Sequence, residues 1–185
     1  MAKKYLLKLL ESLPEECLMH AVQNYVFELE KKGELKVACA IYRDLLAQGC
    51  EGRFSAEICR SLIAALLAAG SVREAIRFYQ NFPKSEIDED SVLKEKLLAC
   101  HMLGHRLCKI DAERSLELWR EFSLYVLNPE LRWHWCQTGL GLMIEWLLVG
   151  HSELANIVFR NMQKYGNCTE TETLLAQASA LLRNR

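Results

Sequence analysis

His101, His105 and Cys108 stand at positions i, i+4 and i+7, with Cys100 beside them. On a helix that spacing places all three on one face. Imidazole nitrogen and thiolate sulfur are the ligands zinc prefers. The set lacks a fourth ligand on that face, Gly104 interrupts it, and Arg106 and Lys109 turn it toward solvent. The triplet therefore reads as ordinary helix packing, and neither a metal nor a cofactor is expected. Gly139 and Gly141 begin a GxG pattern, but Ile144 stands where a third glycine is needed and no strand precedes it. A phosphate-cradling loop requires that third glycine. With no GxSxG, HExxH or Walker pattern either, no catalytic residues are assigned and the chain is not read as an enzyme.

Two further groups are candidates for binding. Trp133, His134, Trp135 and Cys136 form a dense run just after a helix start. Side chains two residues apart on a helix point to different faces, so one tryptophan belongs to the core and the other covers a neighbour or faces solvent. An exposed tryptophan is a recognition anchor. Arg43, Arg120 and Arg160 recur after an aromatic residue, with Gln80 in the matching place of the second repeat. They form either a basic ladder for phosphates or a solvated helix edge whose stems cover apolar surface.

The elements that position these residues follow from a repeat. Ala38, Ala75, Ser115 and Ala155 make a column of small residues. Three positions on stand Ile41, Phe78, Leu118 and Val158; four on, Tyr42, Tyr79, Trp119 and Phe159; seven on, Leu45, Phe82, Phe122 and Met162. These offsets make one helix face. Thirteen residues upstream of the small column are Tyr25, Leu62, Met102 and Leu142, and twelve upstream are Val26, Ile63, Leu103 and Met143. Gly33, Gly70 and Gly150 each lie five residues before the small residue, where a left-handed helix end is expected; the third repeat has Ile110 there. Each repeat is thus two antiparallel helices around a tight turn, and stacked neighbours make one continuous core.

The pattern predicts helices over 2–12, 15–32, 34–48, 54–69, 71–82, 89–108, 111–127, 129–149, 151–165 and 170–183. Start signals are Ser12 with Glu15 and Pro14, Ser71 with Glu74, Asn128 before Pro129, and Thr169 with Glu172. The fold class is all-α, a right-handed α-solenoid of about four helix–turn–helix repeats in a single domain over 1–185. The repeats span roughly 15–48, 54–82, 89–127 and 129–165, with a capping helix at 170–183.

The segment SLIAALLAAGSVREAIRFYQNF, Ser61 to Phe82, resembles a pentatricopeptide repeat. IYRDLLAQGC from Ile41 and FRNMQKYGNCTETETLL from Phe159 are similar. Glycine, then alanine five on, then an aromatic four further, is shared with tetratricopeptide repeats. The resemblance covers roughly 20–175. It implies a helical-repeat array that binds either proteins and peptides or RNA. In an RNA reader Ser61 would take a base-reading place, with Arg43, Arg120 and Arg160 as phosphate contacts.

Composition separates these two classes. Across 185 residues the formal net charge is −1, with 51% hydrophobic and 25% charged residues. Phosphate binding favours a basic excess, which is absent. The eight cysteines are scattered with no CxxC pair, and the N-terminal MAKKYLLKLLESLPEE is not a signal peptide. Free thiols in a reducing intracellular compartment, cytoplasm or nucleus, are expected. No stretch has the apolar length of a membrane span. The first expectation is a protein-interaction scaffold, with an RNA-binding pentatricopeptide-like module as the alternative. The contact residues expected are Trp133 and Trp135, with Ala180 and Arg183 on the outer face of the last helix. That last face would hold a partner helix or a second copy in a homodimer.

Overall fold

The computed structural model describes residues 15–47, 53–84, 89–125, 128–166 and 168–183. These residues are all-helical, with no strand among them. The helices are α1 (Glu15–Lys31), α2 (Leu35–Ala47), α3 (Arg53–Ala68), α4 (Val72–Gln80), α5 (Glu89–Leu107), α6 (Ala112–Arg120), α7 (Pro129–Val149), α8 (Ser152–Tyr165) and α9 (Glu172–Arg183). Short 3₁₀ turns at Glu121–Tyr125 and Thr169–Thr171 follow α6 and precede α9. The predicted helix at 2–12 and the Ser12–Glu15 start lie outside the described residues. No described helix is long and apolar enough to cross a membrane.

The chain divides between Glu95 and Lys96, inside α5, into two compact units. In the first, α1 packs on α2 and α3, α2 on α3, and α3 on α4. In the second, α7 packs on α6, α8 and α9, while α8 also meets α6 and α9.

All four small residues of the column, Ala38, Ala75, Ser115 and Ala155, are fully buried. A larger side chain there would hold the paired helices apart. Ser115 shows why a serine is tolerated: its Oγ donates to the Gly104 carbonyl at 3.0 Å, so the buried hydroxyl is satisfied. The upstream column Val26, Ile63, Leu103 and Met143 is equally closed to solvent. Burying that many apolar side chains is the main stabilising term of the fold.

Three turns share one geometry and one differs, as the glycine pattern foretells. Gly33, Gly70 and Gly150 have φ of 74°, 76° and 92°. Beyond each glycine a backbone N–H reaches five residues back: Glu34 to Leu29, Ser71 to Leu66, and His151 to Trp146. This is the closure that a left-handed glycine permits. After α5 no glycine is present, and among the described residues no non-glycine residue adopts a positive φ. There Asp111 N–H bonds only four back, to Leu107, at 2.7 Å. The bend is made without a left-handed residue, and Ile110 is left 65% exposed.

The start signals divide. Asn128 accepts from Glu130 and Leu131 N–H with Pro129 in the first turn, as expected. Ser71 makes no side-chain cap bond, and the Glu74 carboxylate pairs with Arg43 and Arg77. The last start is set by Cys168 and Thr171, whose Oγ1 accepts the Cys168 N–H at 3.3 Å and donates to the Gly166 carbonyl. The expected Thr169–Glu172 box is thereby displaced by one step. The helix predicted over 111–127 also changes character, since α6 ends at Arg120 and continues as a 3₁₀ turn.

Candidate functional site

Helix α7, PELRWHWCQTGLGLMIEWLLV, is apolar on every side. A helix of that kind is normally buried all round. One side of α7 is. Trp135, Leu142, Met143 and Trp146 are closed to solvent. Trp135 stacks on Trp119 of α6 with ring centroids 4.3 Å apart and planes 11° from parallel. Gly139 makes room, since a Cβ there would meet Trp119 at 3.0 Å and the Met162 sulfur at 2.9 Å. Trp135 is therefore core, and the expectation that it contacts a partner is corrected: its indole is spent on Trp119.

The opposite side of α7 is not covered. Trp133, Ile144 and Leu148 are 37%, 41% and 73% exposed. Gln137 between them is also exposed. At about 100° per residue these four fall within about 60° of arc, one straight stripe along the helix. In register with them, the second hairpin carries Arg53, Glu57, Ala64 and Ala68. The same places on an ordinary exposed first helix are thus charged or small. On α7 they are an indole, an amide and two branched aliphatic chains.

Beside the stripe lies α5. The His101 and His105 rings meet edge-to-face at 4.4 Å. Gly141 lets them approach α7, because a Cβ there would stand 2.8 Å from His105 Nε2. His105 Nδ1 lies 3.5 Å from Glu145 Oε1, and Lys109 Nζ lies 3.8 Å from Glu145 Oε2. Burial, with the neighbouring His105, pushes the His101 imidazole down to about 4. Cys108 turns the other way: it is buried, with Sγ 3.4 Å from Ser115 Oγ. So the helical triplet is split between two environments. Among the described residues no group of three or more His, Cys, Asp or Glu is placed to hold a metal ion.

The residues proposed for phosphate and base contact are engaged elsewhere in the first unit. Arg43 is paired with Glu74 and lies over the Phe78 ring at 5.2 Å. These residues border a cleft of about 570 Å³ together with Tyr42, Leu46 and Arg77. Ser61 donates to Glu30 Oε2 at 2.7 Å. Gln23 donates to Glu57 at 2.8 Å, and Arg60 pairs with Glu95. Successive first helices α1, α3 and α5 are thus tied by Glu30, Glu57 and Glu95, and Glu57 and Glu95 also match the cations Arg53 and Arg60. Burial raises the Glu30 carboxyl above its ordinary range, against the hydrogen bond from Ser61.

In the second unit Arg120 and Arg160 are exposed on α6 and α8. Ala180 and Arg183 are exposed on α9, as expected of its outer face. Leu174, Leu175, Leu181 and Leu182 are half-buried, while Ala178 is the closed position of that helix.

Sequence reasoning singled out Trp133 but missed Ile144 and Leu148. Their signal was available in the repeat register: both stand off the buried columns, at places where the second hairpin has alanine. Comparison with protein-family models, with curated proteins and with solved structures finds no match to this chain.

Proposed function

We propose that this chain is a helical-repeat scaffold, a right-handed stack of four helix–turn–helix units capped by α9, that binds a protein partner through the outer stripe of α7. The observation that carries the reading is the stripe itself. Trp133, Ile144 and Leu148 are large apolar side chains left at 37%, 41% and 73% exposure on a helix whose Trp135, Met143 and Trp146 side is closed. Single exposed apolar residues are commonplace, but several large ones aligned on one helix face support an interaction surface. Tryptophan is the side chain most often found at the energetic centre of such surfaces.

The pairing of the first-helix cations supports protein over RNA. A nucleic-acid groove must present unpaired cations to phosphates. Here Arg43 and Arg60 are each matched by a glutamate, and Ser61 is turned to Glu30. The buried thiols of Cys39, Cys59, Cys100, Cys108 and Cys136 fit a reducing compartment, where they act as small apolar core residues.

The test is affinity capture with the wild-type chain and with Leu148→Glu, each with and without nuclease. The reading expects a protein retained by the wild type, lost with Leu148→Glu, and indifferent to nuclease. Capture of RNA that survives Leu148→Glu overturns it.

A further inference from the structure

The stripe's neighbours define what kind of surface it fits. Exposed Arg106 and Lys109 lie three residues apart near the end of α5, level with the Ile144–Leu148 end of α7. Lys109 is 64% exposed, whereas its acid Glu145 is 24% exposed and shared with His105. Arg106 has no counter-ion among the described residues. The balance at this edge is two cations against one largely covered carboxylate. The stripe carries no charge from Trp133 to Leu148. Its length, at 1.5 Å per residue, is about 22 Å, or four helical turns. Ile144 and Leu148 form an i, i+4 ridge, and the His105 ring fills the space over Gly141 beside it. A ridge of side chains four residues apart is the relief against which another helix packs.

We propose that this face receives one amphipathic helix of a partner protein, about four turns long. Its apolar side lies on Trp133, Ile144 and Leu148, and its acidic flank lies along Arg106 and Lys109. The inference rests on the reading of the α7 stripe as a binding surface and adds the partner's chemistry. Apolar anchors at helical spacing supply the affinity, and the flanking charges select the orientation and reject helices of the wrong sign. Burying Arg106 or Lys109 against a basic flank would juxtapose like charges in a partly desolvated seam, which discriminates strongly.

The experiment uses the full chain and two fluorescent synthetic peptides of 18 residues. Both carry the same leucine ridge at helical spacing; one has glutamates along one flank and the other has lysines there. Fluorescence anisotropy at low salt is expected to show the glutamate peptide binding at least about tenfold more tightly. Leu148→Glu is expected to abolish binding of both peptides. The double substitution Arg106→Glu with Lys109→Glu is expected to reverse the preference. Leu148 and both cations are exposed, and melting curves check that each variant folds; Leu148→Gln repeats the test with a milder change. Equal binding of the two peptides, or a lysine preference, overturns the acidic-flank proposal; if Leu148→Glu still abolishes that binding, the stripe remains a binding surface. Binding that ignores both Leu148 substitutions, or no binding of either peptide, overturns the proposal, and the former removes the stripe reading as well. A wild-type dimer in sedimentation that Leu148→Glu dissociates also overturns it, since the stripe is then covered by a second copy.

Discussion

Trp119 and Trp135 each donate an indole N–H to the other's backbone carbonyl, Trp119 Nε1 to Trp135 O at 3.0 Å and Trp135 Nε1 to Trp119 O at 3.2 Å. The rings stack within the same exchange, so one contact joins α6 to α7 by two hydrogen bonds and a large apolar surface. Both donors would otherwise be buried without partners, since both side chains are closed to solvent. Replacing Trp119 with Phe keeps much of the stack but removes one of the two indole–carbonyl bonds and shrinks a buried ring. A loss of about 1–3 kcal/mol is expected from the lost bond and the space left behind. Trp135→Phe should cost a similar amount. The double variant should cost less than the sum, because the second substitution acts on a contact already broken. Urea denaturation of the four proteins measures this; strict additivity would show that the pair is not one unit.

The α3–α4 turn and the α5–α6 turn offer a matched comparison. Gly70 has φ of 76° and open space around its missing side chain, so any cost of Gly70→Ala comes from backbone conformation alone. About 1 kcal/mol of destabilisation is expected. Ile110 sits in the turn that closes one residue shorter without a positive φ. Ile110→Gly should therefore bring no stabilisation from a left-handed conformation, and thermal melting should show no rise. A gain on introducing that glycine would mean that the third turn is strained.

Much of this was legible because the repeat multiplies weak signals. Ala38, Ala75, Ser115 and Ala155 would mean little singly, but as a column with aromatics four residues on they report helix pairing, and all four are buried. What sequence could not show depends on contacts between elements. Nothing local to Ser71 tells that Glu74 is taken by Arg43, a residue of the preceding hairpin. Nor can the order Trp133–His134–Trp135 say which indole turns inward, since that is decided by Trp119 and Gly139. Ile144 and Leu148 were lost for a related reason: on a helix apolar all round, periodicity no longer separates the covered side from the open one.

His101 couples stability to acid. Its folded imidazole is held at about 4, mainly by burial and also by His105. An unfolded histidine titrates near 6.5. As pH falls through about 6.5 the unfolded chain takes up a proton that the folded one refuses, so stability present above that pH is lost progressively down to about 4. His105, whose ring meets it edge-to-face, stays in place in the comparison. Allowing for solvent screening, the loss should be about 1–2 kcal/mol. Glu30 works in the opposite sense, because its raised carboxyl takes a proton earlier in the folded chain. His101→Gln isolates the histidine: its urea midpoint should fall less than the wild type's between pH 7.5 and about 4.5. Parallel decline of both proteins would contradict the assignment.

The thiols should sort by burial. Cys59 and Cys136 are pushed up to about 12, chiefly by burial, and both are closed to solvent. Cys39, Cys100 and Cys108 are likewise buried, while Cys168 is half-buried near the start of α9. Only thiolate reacts with alkylating reagents, so the five buried residues should label at least about tenfold more slowly than Cys168 in the native protein. In denaturant without reductant all eight cysteines of the chain should label. Mass mapping after timed alkylation reads both. Two thiols missing in the denatured sample would argue for a disulfide and against a reducing compartment.

The same balance of charge makes a prediction about RNA. Phosphate binding gains its free energy from counterions released by unpaired cations. The arginines proposed for such contact are unevenly placed: Arg43 is matched by Glu74, while Arg120 and Arg160 are exposed on second helices. The first helices, where a base-reading face would lie, carry Glu30, Glu57 and Glu95 in cross-helix bonds. A phosphate chain along that line would have to break the Arg60–Glu95 and Ser61–Glu30 contacts before it gained a cation or a base contact. Single-stranded RNA should therefore show no submicromolar binding at about 150 mM salt. Residual association at low salt should depend on Arg120 and Arg160, so that replacing both with Gln removes it, whereas Ser61→Ala should leave it unchanged. Tight binding with a steep salt slope, lost on Ser61→Ala, would reverse the ranking of protein over RNA and move the contact surface from α7 to the first-helix line.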